Sequence, residues 1–242
     1  MTCRHSSTPP TSTRSPARRL GPPTPPSDEP RPVRHNPRHA TTDEQVARQI
    51  IDDHPWAMLV SQRDGVPVAS HYPVLLDESD ELALVTHVGR PDDRLHDFEA
   101  GQVLVVFQGA HGYVSPSWYV PGASIAPTWN FSAVHCWGTP QVLDAEANLA
   151  VLERLTAHFE QHVDEPMWLD PVAAAPLARG TVGLRIPVER FTCKVKMSQD
   201  KDVVSVQNVI DRLRAPGPYR QPRLADDMER ARADSIGHAS TD

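Results

Sequence analysis

The residues that could do chemistry crowd into one stretch. Between Tyr113 and Trp137 the chain carries Trp118, Trp129 and Trp137, three of its five tryptophans, interleaved with Ser115, Ser117, Thr128, Asn130, Ser132 and His135. Large aromatic faces beside a few directional polar groups suit a flat ligand that wants stacking on its plane and hydrogen bonds at its rim. The same composition also suits a core strand with a decorated turn, because aromatic runs are usually buried. Two further groups lie outside the stretch. His87 and Arg90 directly follow a β-like run, and a guanidinium at a strand-to-helix junction can hold a phosphate or carboxylate through paired hydrogen bonds. Asp92 and Asp93 next to them would repel such an anion, or cap a helix around Leu95–Phe98. Lys196, Ser198 and Gln199 offer a cation and two polar side chains to a phosphate or a carboxylate edge. Read otherwise, they form a solvated turn in which Asp200 caps the next helix.

The ordered words Phe107-Gln108-Gly109-x-His111-x-Tyr113-Val114-Ser115-Pro116-Ser117-Trp118-Tyr119 and Pro127-Thr128-Trp129-Asn130-Phe131-x-x-Val134-His135-x-x-Gly138 resemble the PaiB-like family. Lys194-x-Lys196-Met197-Ser198-Gln199 resembles its "KxKLSQ" word, and His71 matches a "THxP" word. His87 and Arg90 match "GHxxRANP", whose Asn-Pro is replaced here by Asp92-Asp93. The likeness spans roughly residues 34–228. It implies a mainly β chain with flanking helices (α+β), folded as an antiparallel split β-barrel of the FMN-binding type. It also implies a homodimer with FMN near the subunit boundary, and a negative effect on transcription. The cofactor contacts it implies are His71, His87, Arg90, Tyr113, Ser115, Trp118, Thr128, Trp129, Asn130, His135, Lys196, Ser198 and Gln199. The isoalloxazine would lie against the Trp118–Trp129 region, with Arg90 and Lys196 at the phosphate. His71 has a plainer reading as a core-rim histidine bonded to backbone.

One branch similar to this family holds heme in the same barrel and forms an N–N bond in a hydroxylated ornithine. Its axial histidine aligns with His87, so heme on His87 is the alternative cofactor, and no other metal is expected. A flavin-dependent reductase is a third reading.

Composition bounds these readings. A chain of 242 residues can bury one full core with appendages. No apolar run approaches the roughly 18–20 residues of a membrane span, and no apolar segment marks a secretory signal. Cys3, Cys136 and Cys193 are odd in number and widely spaced, which favours reduced thiols and a cytoplasmic setting. Ten of the 25 prolines fall between Pro9 and Pro37. A segment of that kind cannot offset its ordering entropy, so residues 1–33 are expected to form a disordered arm. On the family's opening word, "MYxPxHF", the native start is expected near Val33. The first 40 residues carry +5 against −7 for the whole chain, which leaves −12 on residues 41–242. That acidity opposes DNA phosphates, and no DNA-binding motif is visible, so any regulation is expected to be indirect.

The elements that position these residues follow from pattern. Thr42 and Gln45 have capping-box spacing for a helix carrying Val46, Ile50 and Ile51, stopped by His54-Pro55. Strands are expected at Trp56–Gln62, Val66–Leu76, Glu81–His87, Gln102–Gln108, Tyr113–Trp118, Trp129–Trp137 and Thr181–Arg190. Asp64-Gly65 marks a hairpin turn, and Pro67 and Pro73 suggest an edge or a bulge. The run at Gln102–Gln108 reads as buried on both faces, and period-two alternation puts Trp129, Phe131, Ala133, His135 and Trp137 on one face of their strand. A helix is expected from Asp144 to about residue 163, and another from about Asp200 to Arg214. The barrel domain is thus set at 34–214. Residues 215–242 form a C-terminal part with a surface helix or frayed tail.

Overall fold

A computed structural model describes residues 39–99, 101–122 and 126–238, so the arm expected at 1–33 lies outside them. Strand β1 (Ala40–Thr41) leads into helix α1 (Glu44–Asp53). The cap is Asp43 rather than Thr42: its carboxylate accepts from Gln45 N at 2.9 Å, while Thr41 Oγ1 accepts from Asp43 N. Strands β2 (Trp56–Arg63) and β3 (Val66–Leu76) form the expected hairpin. Asp64 and Gly65 both have positive φ, 54° and 77°, which matches the twist of the flanking strands.

Next come β4 (Ala83–Gly89), β5 (Val103–Val114) and β6 (Thr128–Gly138). Then follow β7 (Gln141–Val142), α2 (Ala145–Glu160), α3 (Pro171–Arg179), β8 (Thr181–Pro187) and β9 (Arg190–Lys196). Helices α4 (Val203–Arg214) and α5 (Pro222–His238) complete the described chain.

The strands form one antiparallel sheet in the order β1-β9-β6-β5-β2-β3-β4-β8-β7. Inner residues of strands far apart in that order, Leu84 and Leu184 with Val134 and Cys193, share one core cluster with Phe107, Leu59 and Ile51. The sheet therefore curls into a half-barrel around that core, with α1 packed into it. Each such fully buried side chain contributes about 1.5–3 kcal/mol. A second cluster joins Val114, Tyr119 and Met197 to α4 and α5. A third packs Val151 and Leu155 of α2 on Leu75 and Val85.

Several sequence expectations need correction. Tyr113–Trp118 is not a separate strand: residues 103–114 run as one strand, and Pro116–Trp118 form a 3-10 turn. Pairing passes from Gln108↔Ala133 to His111↔Phe131, so Gly109 and Ala110 oppose Ser132 alone. This bulge flips the alternation and turns His111 and Tyr113 to the same face as Val106. The expected strand Thr181–Arg190 ends at Pro187 as β8, and a further strand, β9, unread in the sequence, begins at Arg190. Helix α3 went unread because Pro171 and Pro176 look like loop signals, although Pro171 sits in the first turn behind the cap Asp170. Helix α4 is capped by Asp202, not Asp200. Helix α5 buries Leu224, Ala225 and Met228.

The run Gln102–Gln108 is not covered on both faces. Val103, Val105 and Phe107 are buried, while Leu104 and Val106 are half-buried on the outer face. Across that face the register aligns His71, Met58, Val106, His135 and Thr192 in one row over five strands.

Candidate functional site

Alternation along β6 sends Asn130, Ser132, Val134 and Cys136 inward, and Trp129, Phe131, His135 and Trp137 outward. Trp129 is 49% exposed. It stacks on His111 with centroids 6.1 Å apart and lies edge-on to Tyr113 at 6.3 Å. Tyr113 also meets Trp118 at 6.3 Å and Tyr219 at 5.1 Å. At the same end of β6, Lys196 Nζ donates to Thr128 Oγ1. Burial, with Lys194 beside it, holds the lysine pKa below the ordinary value. Ser115 caps the adjoining 3-10 turn, and its hydroxyl lies 2.8 Å from that of Ser117. The outward side of this strand end therefore offers stacking surfaces, hydroxyls and a partly desolvated cation.

The inward side is a closed network. Asn130 Nδ2 donates to Ser198 Oγ at 2.9 Å, and that hydroxyl lies 3.0 Å from the Tyr119 hydroxyl. Ser198 has φ +59°, a left-handed conformation. Gln199 turns back on its own chain: its Oε1 accepts from Met197 N and its Nε2 donates to Val195 O. Asn130, Ser198 and Gln199 thus hold the end of β9 against β6 and the 3-10 turn.

The structure does not gather the remaining candidates at this cluster. His71 stacks on Trp56 at 6.1 Å and lines a 470 Å³ cavity with His54, Met58, Gln108, His111 and Arg223. His135 sits in the middle of the outer face, edge-on to Trp137, whose ring Arg190 covers at 3.8 Å.

Arg90 pairs with Asp93 at 2.9 Å and lines a separate cavity of 860 Å³ with Arg179, Leu143, Asn148 and Leu149, between α2, α3 and β8. Lys196 does not line that cavity. His87 shares a strand face with Val85, which packs beneath α2. Its Nδ1 is buried without a hydrogen-bond partner, and burial lowers its pKa, so the ring is neutral at neutral pH.

Sequence reasoning missed His54, Trp56, His111, Tyr219 and Arg223. His111 stood inside a quoted motif, but only the bulge reveals which way it points. Tyr219 and Arg223 arrive from the far end of the chain. Among the described residues no group of three or more His, Cys, Asp or Glu could hold a metal ion. Cys136 and Cys193 are buried, and their thiols are pushed up to about 12, so they stay protonated. No helix among the described residues is long and apolar enough to cross a membrane.

Comparison with known proteins agrees with this architecture. The family model described as "Putative FMN-binding domain" matches residues 34–190. The protein named protease synthase and sporulation protein PAI 2 of Bacillus subtilis (strain 168) is 30% identical over 193 residues, covering 78% of this chain and 92% of its own length. Two solved structures share the fold. An FAD- and heme-binding protein from Mycobacterium smegmatis has a TM-score of 0.51 at 19% identity, over 65% of this chain and 73% of its own. A flavocytochrome from Azotobacter vinelandii has a TM-score of 0.52 at 16% identity, over 65% and 69%.

Proposed function

The chain belongs to this FMN-binding-domain family of split barrels and is PaiB-like, and from that premise we propose that it binds FMN against the ring cluster at Trp129. The observation that carries the proposal is the convergence at one strand end of half-exposed Trp129, Tyr113 and Trp118 with Lys196. The rings supply a stacking surface for the isoalloxazine, the Ser115 and Ser117 hydroxyls serve its polar rim, and Lys196 serves the phosphate. FMN, when bound, supplies one- and two-electron transfer chemistry. The protein's own part is to hold the ring plane and shield it from water.

The half-buried outer face of β2, β5 and β6 supports a homodimer, since an apolar face that is half-covered in one chain fits a second copy. The Bacillus relative is named for protease synthesis and sporulation, and a regulatory role here is proposed in the same sense. It acts indirectly, because a net charge of −7 disfavours DNA phosphates. We do not extend the proposal to heme on His87, whose strand face α2 covers.

The test is an absorption spectrum of the purified full chain, then titration of the cofactor-free protein with FMN and with riboflavin. Flavin bands and saturable FMN binding are expected. Lys196→Met should weaken FMN about tenfold while leaving riboflavin nearly unchanged, as loss of a charge-assisted contact would. If Arg90→Ala does this instead, the phosphate belongs at the α2–α3 cavity. A protein that binds neither flavin would overturn the reading.

A further inference from the structure

The cavity beside the ring cluster has a chemistry of its own. It is walled by Trp56, Met58, His71, Val106 and Phe159, with polar groups from His54, Gln108, His111 and Arg223. Its 470 Å³ lies within the roughly 300–1,000 Å³ typical of small-molecule sites. Trp56 and His71 stand 18° from parallel and present an exposed stacked pair to it.

The polar groups are mostly donors. Trp129 Nε1 donates to His111 Nδ1 at 3.3 Å, which makes Nδ1 the acceptor and leaves the ring proton of the neutral form on Nε2. Arg223 is the neighbouring cation; it shares an adjoining pocket with Asp53, Asp226 and Asp227, but those carboxylates pair elsewhere. Asp226 is held by Arg214, and Asp227 and Asp53 by Arg230. Among the described residues Arg223 makes no ion pair, and Asp53 is the one carboxylate on the cavity wall. The backbone aims these groups on purpose. The β5 bulge turns His111 outward, and Gly112 leaves room for Leu224 of α5, whose Cδ2 would lie 2.9 Å from an added Cβ. That close approach is what brings Arg223 to the cavity.

We propose that the cavity lined by Trp56, His71, His111 and Arg223 binds a small planar aromatic carboxylate, its ring on the Trp56–His71 pair and its carboxylate on Arg223 and the His111 donor. The site stands beside the proposed flavin cluster, shares His111 with it, and needs no flavin to be occupied; Met58 and Val106 also belong to the face proposed for a second copy, which would close that side of the cavity and leave the exposed Trp56 and Arg223 side as its mouth.

The experiment titrates the full-length protein, free of cofactor, with benzoate and nicotinate against benzamide and nicotinamide, read by calorimetry. Saturable binding of the carboxylates is expected, at least tenfold tighter than their amides. Arg223→Gln, an exposed position whose change should leave folding intact, should abolish that preference. Trp56→Leu should weaken carboxylate and amide alike. Equal binding of acid and amide, no saturable binding, or a preference that survives Arg223→Gln would each overturn the proposal. So would simple competition between benzoate and FMN, which would assign the cavity to the cofactor. Benzoate binding by a protein that ignores flavins would leave this site standing and remove the flavin reading alone.

Discussion

Trp129 and His111 are joined twice: their rings stack 24° from parallel, and the indole N–H donates to the imidazole Nδ1 at 3.3 Å. The pair links the end of β6 to the bulged segment of β5. Trp129→Ala should therefore cost FMN affinity by about three- to tenfold, the scale of one aromatic contact. Fluorescence titration would measure it, and an unchanged affinity would remove Trp129 from the site.

Asn130 lies on the opposite side of the same strand, fully buried and bonded to Ser198. Its replacement by Ala removes the amide partner of the buried Ser198 hydroxyl, which keeps the Tyr119 hydroxyl. We expect Asn130→Ala to lower stability by about 1–3 kcal/mol, seen as an earlier urea midpoint with an unchanged slope.

Val106 sits at the centre of the outer row, facing Met58 and His135. Val106→Asp should leave the monomer fold intact while converting the proposed dimer to monomer, since it places an unpaired carboxylate in a desolvated interface. Sedimentation velocity decides the point; a variant of unchanged mass would move the interface elsewhere.

Burial holds His87, His96 and His135 below their ordinary pKa of 6.5. Just below that value the unfolded chain binds protons that the folded chain refuses. Their contribution to stability is therefore present above 6.5 and lost as pH falls toward the folded values. Asp227, raised by burial from 3.8, works in the opposite sense: its contribution is present below 3.8 and lost as pH rises through its folded value. Urea midpoints should fall from about pH 7.5 to about pH 5.5, and His87→Asn should flatten the decline.

Gly109 faces Ser132 so closely that an added Cβ would lie 2.0 Å from its Oγ. Gly109→Ala should destabilise the fold by about 1–3 kcal/mol. The double change with Ser132→Ala should recover part of the loss, because it removes the nearest atom. A double variant no more stable than the single one would place the strain in the backbone.

The sequence made local features readable and left long-range ones hidden. The Asp64-Gly65 turn, the alternation of β6 and the stripe of α1 are short-range patterns, and the structure keeps them. Pro67 and Pro73 also meant what prolines mean: β3 pairs with β2 over Val66–Pro73 and with β4 only over Val74–Leu76, so both prolines lie where one side of the strand is open. Strand β9 was missed because its partner β6 lies some 60 residues earlier, and Lys194 and Lys196 disguise a strand whose inward residue is Cys193. At the candidate site, the aromatic cluster was legible as composition. That His111 and Tyr113 of β5 join Trp129 on the outward face was not, because it depends on strand parity on both sides of the β5 bulge. The separation of Arg90 from Lys196 is likewise a fact of sheet order, which no local word encodes.

The two residues Gly109 and Ala110, set against Ser132 alone, also define a genetic hinge point. Losing one codon there would restore simple pairing: the remaining residue would face Ser132, and His111 and Tyr113 would stay on the outer face opposite Phe131 and Trp129. A codon lost from a regularly paired stretch of the strand would instead exchange inside for outside beyond it. This spot is therefore where the strand can give up a residue and keep its binding surface.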